Sequence, residues 1–365
     1  MSAKVLIIGG SGSIGRELIH FLSQNNPELQ IIAAGRNIES LLQLQERFGN
    51  EIFIRNMDCN KNYDLREVIK NCDLVCNCAG PSSVTGPAVA QECLRAGIPY
   101  TDPSDHAAMR TVFEREEDNK KISSAIFGAG IVPGFSGTLS LWFHDLLHGA
   151  DHKLKRQDIY YAAKDEFSYA AAYDYADSIR LASLSETEPA KPHLIELPDF
   201  KQTFFACSYL SEEIIRIRKM VSIPLYYHNC FIGEDMLNAL ATVGGLHGGS
   251  LSLIDSAAIL MKASKSCVNE FGKGHSFLCR AEMEDGTVHS VSVFIEDANA
   301  LMGVMTGMAI QAQLKRKIDG VHYFAEIMEP EEVISQLQQS GCIAIDSQKN
   351  HVAKCSASKG VLHYA

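Results

Sequence analysis

A glycine-rich turn between an apolar run and an amphipathic segment constrains the fold of this chain most strongly. Residues 4–8 predict a buried strand and residues 14–24 a helix with one apolar face, and between them stand Gly10, Ser11, Gly12, Ser13, Ile14 and Gly15. In this spacing the first glycine permits a tight turn, the second admits a pyrophosphate, and the third lets the helix pack on the strand. The turn therefore predicts a dinucleotide-binding βαβ unit, with free N–H groups at the helix N-terminus facing phosphates. The alternative is a glycine-rich turn without a ligand.

The pattern that follows this turn alternates short apolar runs with amphipathic segments. The predicted strands are 4–8, 30–34, 52–55, 73–77, 100–101 and 124–127, and the predicted helices are 14–24, 38–48, 65–71, 84–96 and 106–119. Strands that alternate with helices across short turns form parallel sheets. The fold class is therefore predicted to be α/β, with a Rossmann-type doubly wound parallel sheet.

The pattern changes after Pro133. Strands are predicted at 158–163, 277–284 and 288–296, the last two joined by an Asp-Gly hairpin turn. Helices are predicted at 168–183, 212–220, 236–240, 299–317 and 329–340, and 186–198 is expected to be a polar connection. The organisation expected is a Rossmann domain over 1–134, an α+β substrate or dimerisation domain with a mainly antiparallel sheet over 135–318, and a segment over 319–365 that returns to the Rossmann domain.

The end of the second predicted strand indicates which cofactor is bound. An acid there would bind the ribose of NAD, whereas Arg36, followed by Asn37, suits the 2′-phosphate of NADP. NADP is therefore preferred, with NAD possible, and the alternative is that Arg36 is an ordinary surface residue. Asp58 and Cys59 follow the third strand, where Asp58 could bind the adenine amino group or cap a turn.

Small and polar residues follow the next two strands, whose carboxyl ends should face the same crevice. The fourth strand is followed by a turn that the cofactor could pass closely, formed by Cys78, Ala79, Gly80 and Pro81. Asp102, after the fifth strand, could anchor a substrate ammonium or orient the nicotinamide. His106 could move a proton near neutral pH. These two are the candidate catalytic residues, and the alternative is that Ser104 or Asp105 caps a helix there.

Composition excludes several classes of protein. With 33 basic and 44 acidic residues the net charge is −11, which argues against a general nucleic-acid binder. No secretory signal is visible, and glycines and Pro133 interrupt the uncharged stretch 122–143, so a membrane span is not expected. The 11 cysteines contain no C-x-x-C pair, which is typical of reduced thiols in a cytoplasmic protein. No metal is expected at His144, His148 and His152. The glycine-rich segment 244–250 is interpreted as a loop over the active site.

With these residues in view, the chain resembles the saccharopine dehydrogenase-like family, in its NADP-binding reductase branch. The resemblance is carried by the glycine turn with Arg36, by 77–81 and 93–102, by 130–137, and near the end by 320–323 and 329–332. It implies a Rossmann domain, an α+β domain often used for dimerisation, and hydride transfer at a carbon–nitrogen bond of an amino-acid derivative. Saccharopine reductases place a substrate-contacting Asp directly before the pair that is Pro133-Gly134 here. This chain has Val132 there, which argues against saccharopine itself.

The region 140–320 carries weaker signals for a substrate. Tyr169 and Tyr173 share a predicted helix face and could line a polar pocket, although such a stripe is more often an interface or half-buried core. The leading hypothesis is an NADP-dependent oxidoreductase acting on an amino-acid-derived imine or secondary amine, as a homodimer through the second domain. The alternatives are a non-catalytic NADP-binding sensor or scaffold, and a lyase or transferase that uses bound NAD(P) as a redox helper.

Overall fold

The computed structural model describes residues 2–49, 52–117, 124–147, 153–182, 192–245, 251–346 and 353–354. These residues form two sheets with helices packed against them. The α/β architecture with a second, mostly antiparallel sheet confirms the fold class predicted from the sequence.

The first sheet has seven strands, and every pair in it is parallel. Its strands are β1 (Lys4–Ile8), β2 (Gln30–Gly35), β3 (Ile52–Asn56), β4 (Leu74–Asn77), β5 (Tyr100–Thr101), β6 (Ser124–Phe127) and β13 (Gly320–Tyr323). The intervening helices are α1 (Ser13–Asn25), α2 (Ile38–Phe48), α3 (Asn62–Ile69), α4 (Ser82–Ala96) and α5 (Ala107–Glu117). The spatial order β13-β6-β5-β4-β1-β2-β3 reverses direction at β1, so the crevice outside the carboxyl ends of β1 and β4 is where such sheets bind ligands.

The second sheet is built in the order β14-β12-β11-β7-β10-β9-β8, with β15 paired to β12. Its strands are β7 (Leu154–Lys164), β8 (His193–Leu197), β9 (Gln202–Ser208), β10 (Leu225–Phe231), β11 (Gly274–Met283), β12 (Thr287–Ile295), β14 (Ile343–Asp346) and β15 (Ala353–Lys354). Only the β7–β10 pair is parallel among these. The helices of this half are α6 (Phe135–Leu147), α7 (Tyr169–Ala182), α8 (Glu212–Val221), α9 (Glu234–Val243), α10 (Leu253–Phe271), α11 (Ala298–Lys315), α12 (Phe324–Ile327) and α13 (Pro330–Gln339).

Part of the second half differs from the pattern expected of it. The expectation of a polar connection over 186–198 is wrong for His193–Leu197, which is the edge strand β8. Its exposed and half-buried residues alternate, because an edge strand has only one neighbour to pack against. Helix α10 and strands β9 and β10 had no counterpart among the predicted elements.

One large hydrophobic cluster spans the two halves, because elements from the second half return to the first. Strand β13 pairs with β6 in the first sheet, whereas β14 pairs with β12 in the second. Helix α11 lies against α1 and brings two glycines to the contact. A Cβ on Gly303 would lie 2.6 Å from the backbone of Glu17, and one on Gly307 would overlap the ring of Phe21. The missing side chains therefore set how closely these helices approach.

In the described part of the chain no helix combines the length and apolarity needed to cross a membrane. The uncharged stretch 122–143 holds the short strand β6 and the beginning of the buried helix α6.

The α1–α11 contact generates a stability prediction. A Gly→Ala substitution in a helix interior usually stabilises the protein by up to about 1 kcal/mol. Gly303→Ala should instead lower the free energy of unfolding by about 1–3 kcal/mol, because the new Cβ would overlap the backbone of Glu17, which cannot move aside easily. Urea unfolding measures the difference. Asn299→Ala, at an exposed position of the same helix, is the control and should stay within about 0.5 kcal/mol. A stabilised Gly303→Ala protein would contradict the close packing.

Candidate functional site

The glycine turn predicted from the sequence folds into a tight corner after β1. Gly9 has φ +79°, and the Gly12 N–H donates to the Gly9 carbonyl at 2.9 Å. A Cβ on Gly15 would lie 2.7 Å from the Gly10 Cα, so α1 starts directly against the turn. Gly12 and Ser13 are exposed at the outer edge. The corner leaves backbone open to a ligand at the one place where the strand meets the helix.

The N-terminus of α1 is built to receive an anion. Gly12 is its N-cap residue, no side chain caps it, and its first turn holds no acidic residue. The first N–H groups of a helix lack intrahelical partners and carry the positive end of its dipole. Ser11 and Ser13 flank this end, and Ile14 is half-buried behind it. The turn and helix therefore fit a pyrophosphate.

Arg36 stands exposed at the carboxyl end of β2. The ion pairs formed within the described residues do not include it. Asn56 holds this corner, since its side-chain amide donates to the Arg36 carbonyl at 2.9 Å. Asn37 is the N-cap residue of α2, and its Oδ1 accepts a hydrogen bond from the Ser40 N–H at 3.1 Å. A free guanidinium is thus presented where a ribose phosphate is expected.

The residues after β3 lie beside this arginine. Burial raises the pKa of the Cys59 thiol, Asp58 raises it further, and the charge of Arg36 lowers it. Asp58 accepts from the Asn60 N–H at 3.1 Å, which is the turn-capping role that the sequence left open. Arg36, Asp58 and Cys59 therefore form one cluster at the end of the crevice nearest β3.

The turn after β4 packs against the glycine turn. A Cβ on Gly9 would lie 2.7 Å from the Ala79 nitrogen and 2.9 Å from the Cys78 carbonyl oxygen. Thr85, in the first turn of α4, stabilises the turn, because its hydroxyl donates to the carbonyls of Ala79 and Pro81 at 2.7 and 3.0 Å. The two turns are therefore in direct contact at the β1–β4 switch point, where the strand order reverses.

Asp102 is a buried carboxyl that neighbouring side chains fully engage. Its Oδ2 accepts from the Tyr100 hydroxyl and, at 2.9 Å, from the Asn77 amide, and its Oδ1 accepts from the Ser104 N–H and hydroxyl at 2.9 and 2.6 Å. It is 1% exposed. Burial raises its pKa to about 6, although the hydrogen bonds from Ser104, Tyr100 and Asn77 lower it. Asp102 thus joins the ends of β4 and β5 beneath the crevice surface.

His106 directly precedes α5, and its side chain contacts the second half. Its Nδ1 accepts from the Ala108 N–H at 3.2 Å, and its Nε2 lies 3.0 Å from Asp177 Oδ2. Because Nδ1 accepts a hydrogen bond, the proton of the neutral ring is on Nε2. The Nε2–H group therefore donates a hydrogen bond to Asp177. The suggestion that Ser104 or Asp105 caps this helix is wrong. The Ser104 hydroxyl donates to Asp102 and Asp105 binds Arg110 and Tyr323, so His106 is left to cap it.

The tyrosines predicted to line a substrate pocket lie on α7. Their ring centroids are 5.9 Å apart, and Tyr169 is exposed whereas Tyr173 packs partly into the cluster that α7 forms with α9 and α10. The helix face that meets the crevice lies one residue further along, since a Cβ on Gly80 would lie 2.6 Å from the Ala170 Cβ. A substrate role for Tyr169 and Tyr173 stays a prediction.

The segment Pro133-Gly134 leads from β6 into α6 and is held by a carboxyl from the second half. Glu213 Oε1 accepts from the Gly134 N–H at 2.8 Å, and its Oε2 accepts from the Ser136 hydroxyl at 2.7 Å. Glu213 is wholly buried. Burial raises its pKa to about 7 and Asp105 raises it further, whereas the bonds from Ser136 and Gly134 lower it.

Metal binding finds no support within the described ranges, where no group of three His, Cys, Asp or Glu side chains could hold an ion. His148 and His152, and residues 246–250 of the glycine-rich loop, lie outside the described residues.

Three polar residues of the site were missed by sequence reasoning. Asn56 and Asn77 sit at the carboxyl ends of β3 and β4, so their position after apolar strand residues was a signal that could have found them. Glu213 gave no such signal, because it lies on an ordinary amphipathic helix and meets Gly134 only through the fold.

Residues 5–130 match the family model described as the saccharopine dehydrogenase NADP binding domain. Residues 5–130 are therefore similar to that family of NADP-binding domains, which confirms the resemblance seen in the sequence motifs.

Solved structures extend the likeness beyond this domain. A saccharopine dehydrogenase (L-Glu forming) from Saccharomyces cerevisiae is 15% identical, with a TM-score of 0.63, and the match covers 94% of this chain and 99% of that chain. A dehydrogenase (MviM) from Clostridium difficile is 9% identical, with a TM-score of 0.46, over 93% of this chain and 100% of that one. A comparison with curated protein sequences found no significant match. At 15% identity the yeast match establishes a shared fold and no more.

The buried Glu213 generates a pH prediction. Its pKa rises from 4.5 unfolded to about 7 folded, so its contribution to stability is full below pH 4.5 and is lost as the pH rises through 7. Glu213→Gln stays neutral, and its free energy of unfolding relative to wild type should therefore rise by up to about 3 kcal/mol between pH 4.5 and 8.

Urea unfolding across that pH range measures this difference. Glu212→Gln, on the same helix but more exposed, is the control, and the titration of Asp102 is common to all three proteins. A relative stability of Glu213→Gln that is flat with pH would contradict the buried, proton-binding carboxyl.

Proposed function

We propose that this chain is an NADP-dependent oxidoreductase that transfers hydride at a carbon–nitrogen bond of an amino-acid-derived substrate. The observation that carries the proposal is the uncapped, acid-free N-terminus of α1 behind the glycine turn. The exposed guanidinium of Arg36, which forms no ion pair among the described residues, lies at the neighbouring strand end. The N-terminus of α1 fits a pyrophosphate, and Arg36 fits a 2′-phosphate. The family of the N-terminal domain supports the same cofactor.

The chain's own residues divide the binding task. The backbone at Gly10 to Ser13 would hold the pyrophosphate, Arg36 the 2′-phosphate, and the surface of Asp58 and Cys59 the adenine end. The turn from Cys78 to Pro81 would guide the other end of the cofactor along the crevice. When bound, the nicotinamide supplies or accepts the hydride.

A proton must accompany reduction of a C=N bond, and His106 is the candidate to move it. The Asp177 carboxylate fixes the ring orientation through Nε2, so a proton would move at Nδ1, which must first release the Ala108 N–H. Asp102 supports the loop from which His106 projects, through its bonds to Ser104. The carbon–nitrogen chemistry is favoured by the saccharopine-type domain and by the yeast enzyme that shares the fold.

The cofactor preference is tested by reversing the charge of Arg36. Arg36→Asp should weaken NADPH binding about 10- to 100-fold, because a charge-assisted contact to phosphate is lost, and should change NADH affinity by less than about 3-fold. Titration calorimetry with both cofactors measures this. Arg47→Asp, at the far end of α2, is the charge-matched control. Equal losses for NADPH and NADH in Arg36→Asp would contradict a 2′-phosphate contact.

The reaction class is tested with purified protein, NADPH, and pooled keto acids and amines. We expect oxidation of NADPH that requires both an amine and a carbonyl compound, since the imine forms from the two. Tight NADPH binding without turnover in any pairing would favour a sensor or scaffold. Product formation without a change in cofactor absorbance would favour a lyase or transferase.

The homodimer through the second domain stays a prediction. Sedimentation velocity of the full chain, at micromolar concentration, is the measurement that tests it.

A further inference from the structure

Helix α7 of the second half lies against the wall of the cofactor crevice. Its Ala170 packs on Gly80 so closely that a Cβ there would lie 2.6 Å from the Ala170 Cβ. Gly80 belongs to the turn after β4, at the end of the crevice away from Arg36. A ligand that reaches this end must therefore lie under α7 or displace it.

One helical turn after Ala170, Asp174 binds the N-terminus of α4. Its Oδ2 accepts from the Ser82 N–H at 2.7 Å and from the Ser82 hydroxyl at 3.0 Å. Its Oδ1 accepts from the Ser83 N–H at 3.2 Å and from the Ser83 hydroxyl at 3.0 Å. Helix α4 has no side-chain cap of its own and no acid in its first turn, so the carboxylate of a distant helix caps it and complements its dipole.

Asp177, three residues further along α7, makes a second contact with the first half, to a side chain. Its Oδ2 lies 3.0 Å from His106 Nε2, and its Oδ1 accepts from Arg180 at 2.6 Å. Positions 174 and 177 share one face of the helix. Two carboxylates of one helix thus bind the two loops that follow β4 and β5.

We propose that Asp174 is a positioning residue that holds α7 closed over the nicotinamide half of the crevice, so that the cofactor leaves only after the Asp174–Ser82–Ser83 contact opens. This rests on the proposed function for the identity of the cofactor, but not for the contact itself. The charged, four-fold hydrogen bonding makes Asp174 the strongest single link between α7 and the first sheet's loops.

Asp174→Asn tests this role, because it removes the charge and one acceptor oxygen while the side chain keeps its volume. The amide keeps the shape but offers one acceptor oxygen and places an NH₂ group against donors. Release of NADPH, followed by stopped flow with excess NADP⁺ as the trap, should be about 10-fold faster than in wild type. Amide exchange of the unliganded protein should also accelerate at 82–85 and over the first two turns of α7.

Asp235→Asn is the matched control. Asp235 also binds a serine, since the Ser266 hydroxyl donates to it at 2.6 Å, but both lie in the second half, on α9 and α10. This variant should leave NADPH release and exchange at 82–85 unchanged. Equal effects in the two variants would overturn the proposal, because the change would then reflect general loosening of the second half.

The double variant Ser82→Ala/Ser83→Ala tests the partner side. If the contact of Asp174 with the two serines holds α7 in place, the serine variant and Asp174→Asn remove the same contact. Combining them in one protein should then accelerate NADPH release by less than the product of their separate effects. Unchanged exchange and release in Asp174→Asn, or fully multiplicative effects, would overturn the proposal. If wild type binds no NADPH, the proposed function fails, and amide exchange of the unliganded protein alone decides whether Asp174 holds α7.

Discussion

The close packing of the glycine turn on its neighbours is the constraint on which the rest of the structure depends. Gly15 brings α1 against the turn, and Gly9 brings the turn after β4 within van der Waals contact of it. Side chains at either position would push the helix or the second turn away. Because both glycines are present, an uncapped helix N-terminus opens into the crevice at the point where the strand order reverses.

Carboxyl groups organise the region around this crevice. Asp102 ties β4 to β5 from within the first half, whereas Asp174 and Glu213 cross from the second half to loops of the first. Each accepts backbone N–H groups at the start of a helix or turn, and for Asp102 and Glu213 these bonds lower a pKa that burial raises. These three carboxyl groups therefore have structural partners, whereas Arg36 stands exposed at the carboxyl end of β2.

The sequence was most informative where chemistry and local structure coincide. Helix 38–48 was predicted with the bounds that the structure has. The glycine turn packs against the turn after β4, and Arg36 stands exposed at the carboxyl end of β2, whereas their common role in cofactor binding stays a prediction. Prediction failed where contacts are remote in sequence. Glu213 and Gly134 are 79 residues apart, and Asp174 and Ser82 are 92 apart, so no local pattern marks either pair. Strand β8 was missed because a short edge strand shows only weak alternation.

The central claim is that the α1 N-terminus and Arg36 bind the two phosphate sites of one NADP molecule. A crystal structure of the full chain grown with NADP⁺ tests it most directly. We predict the pyrophosphate on the backbone N–H groups between Gly10 and Ile14, and the 2′-phosphate within hydrogen-bond distance of the Arg36 guanidinium. A pyrophosphate bound away from the glycine turn, or a 2′-phosphate that Arg36 does not contact, would contradict the account.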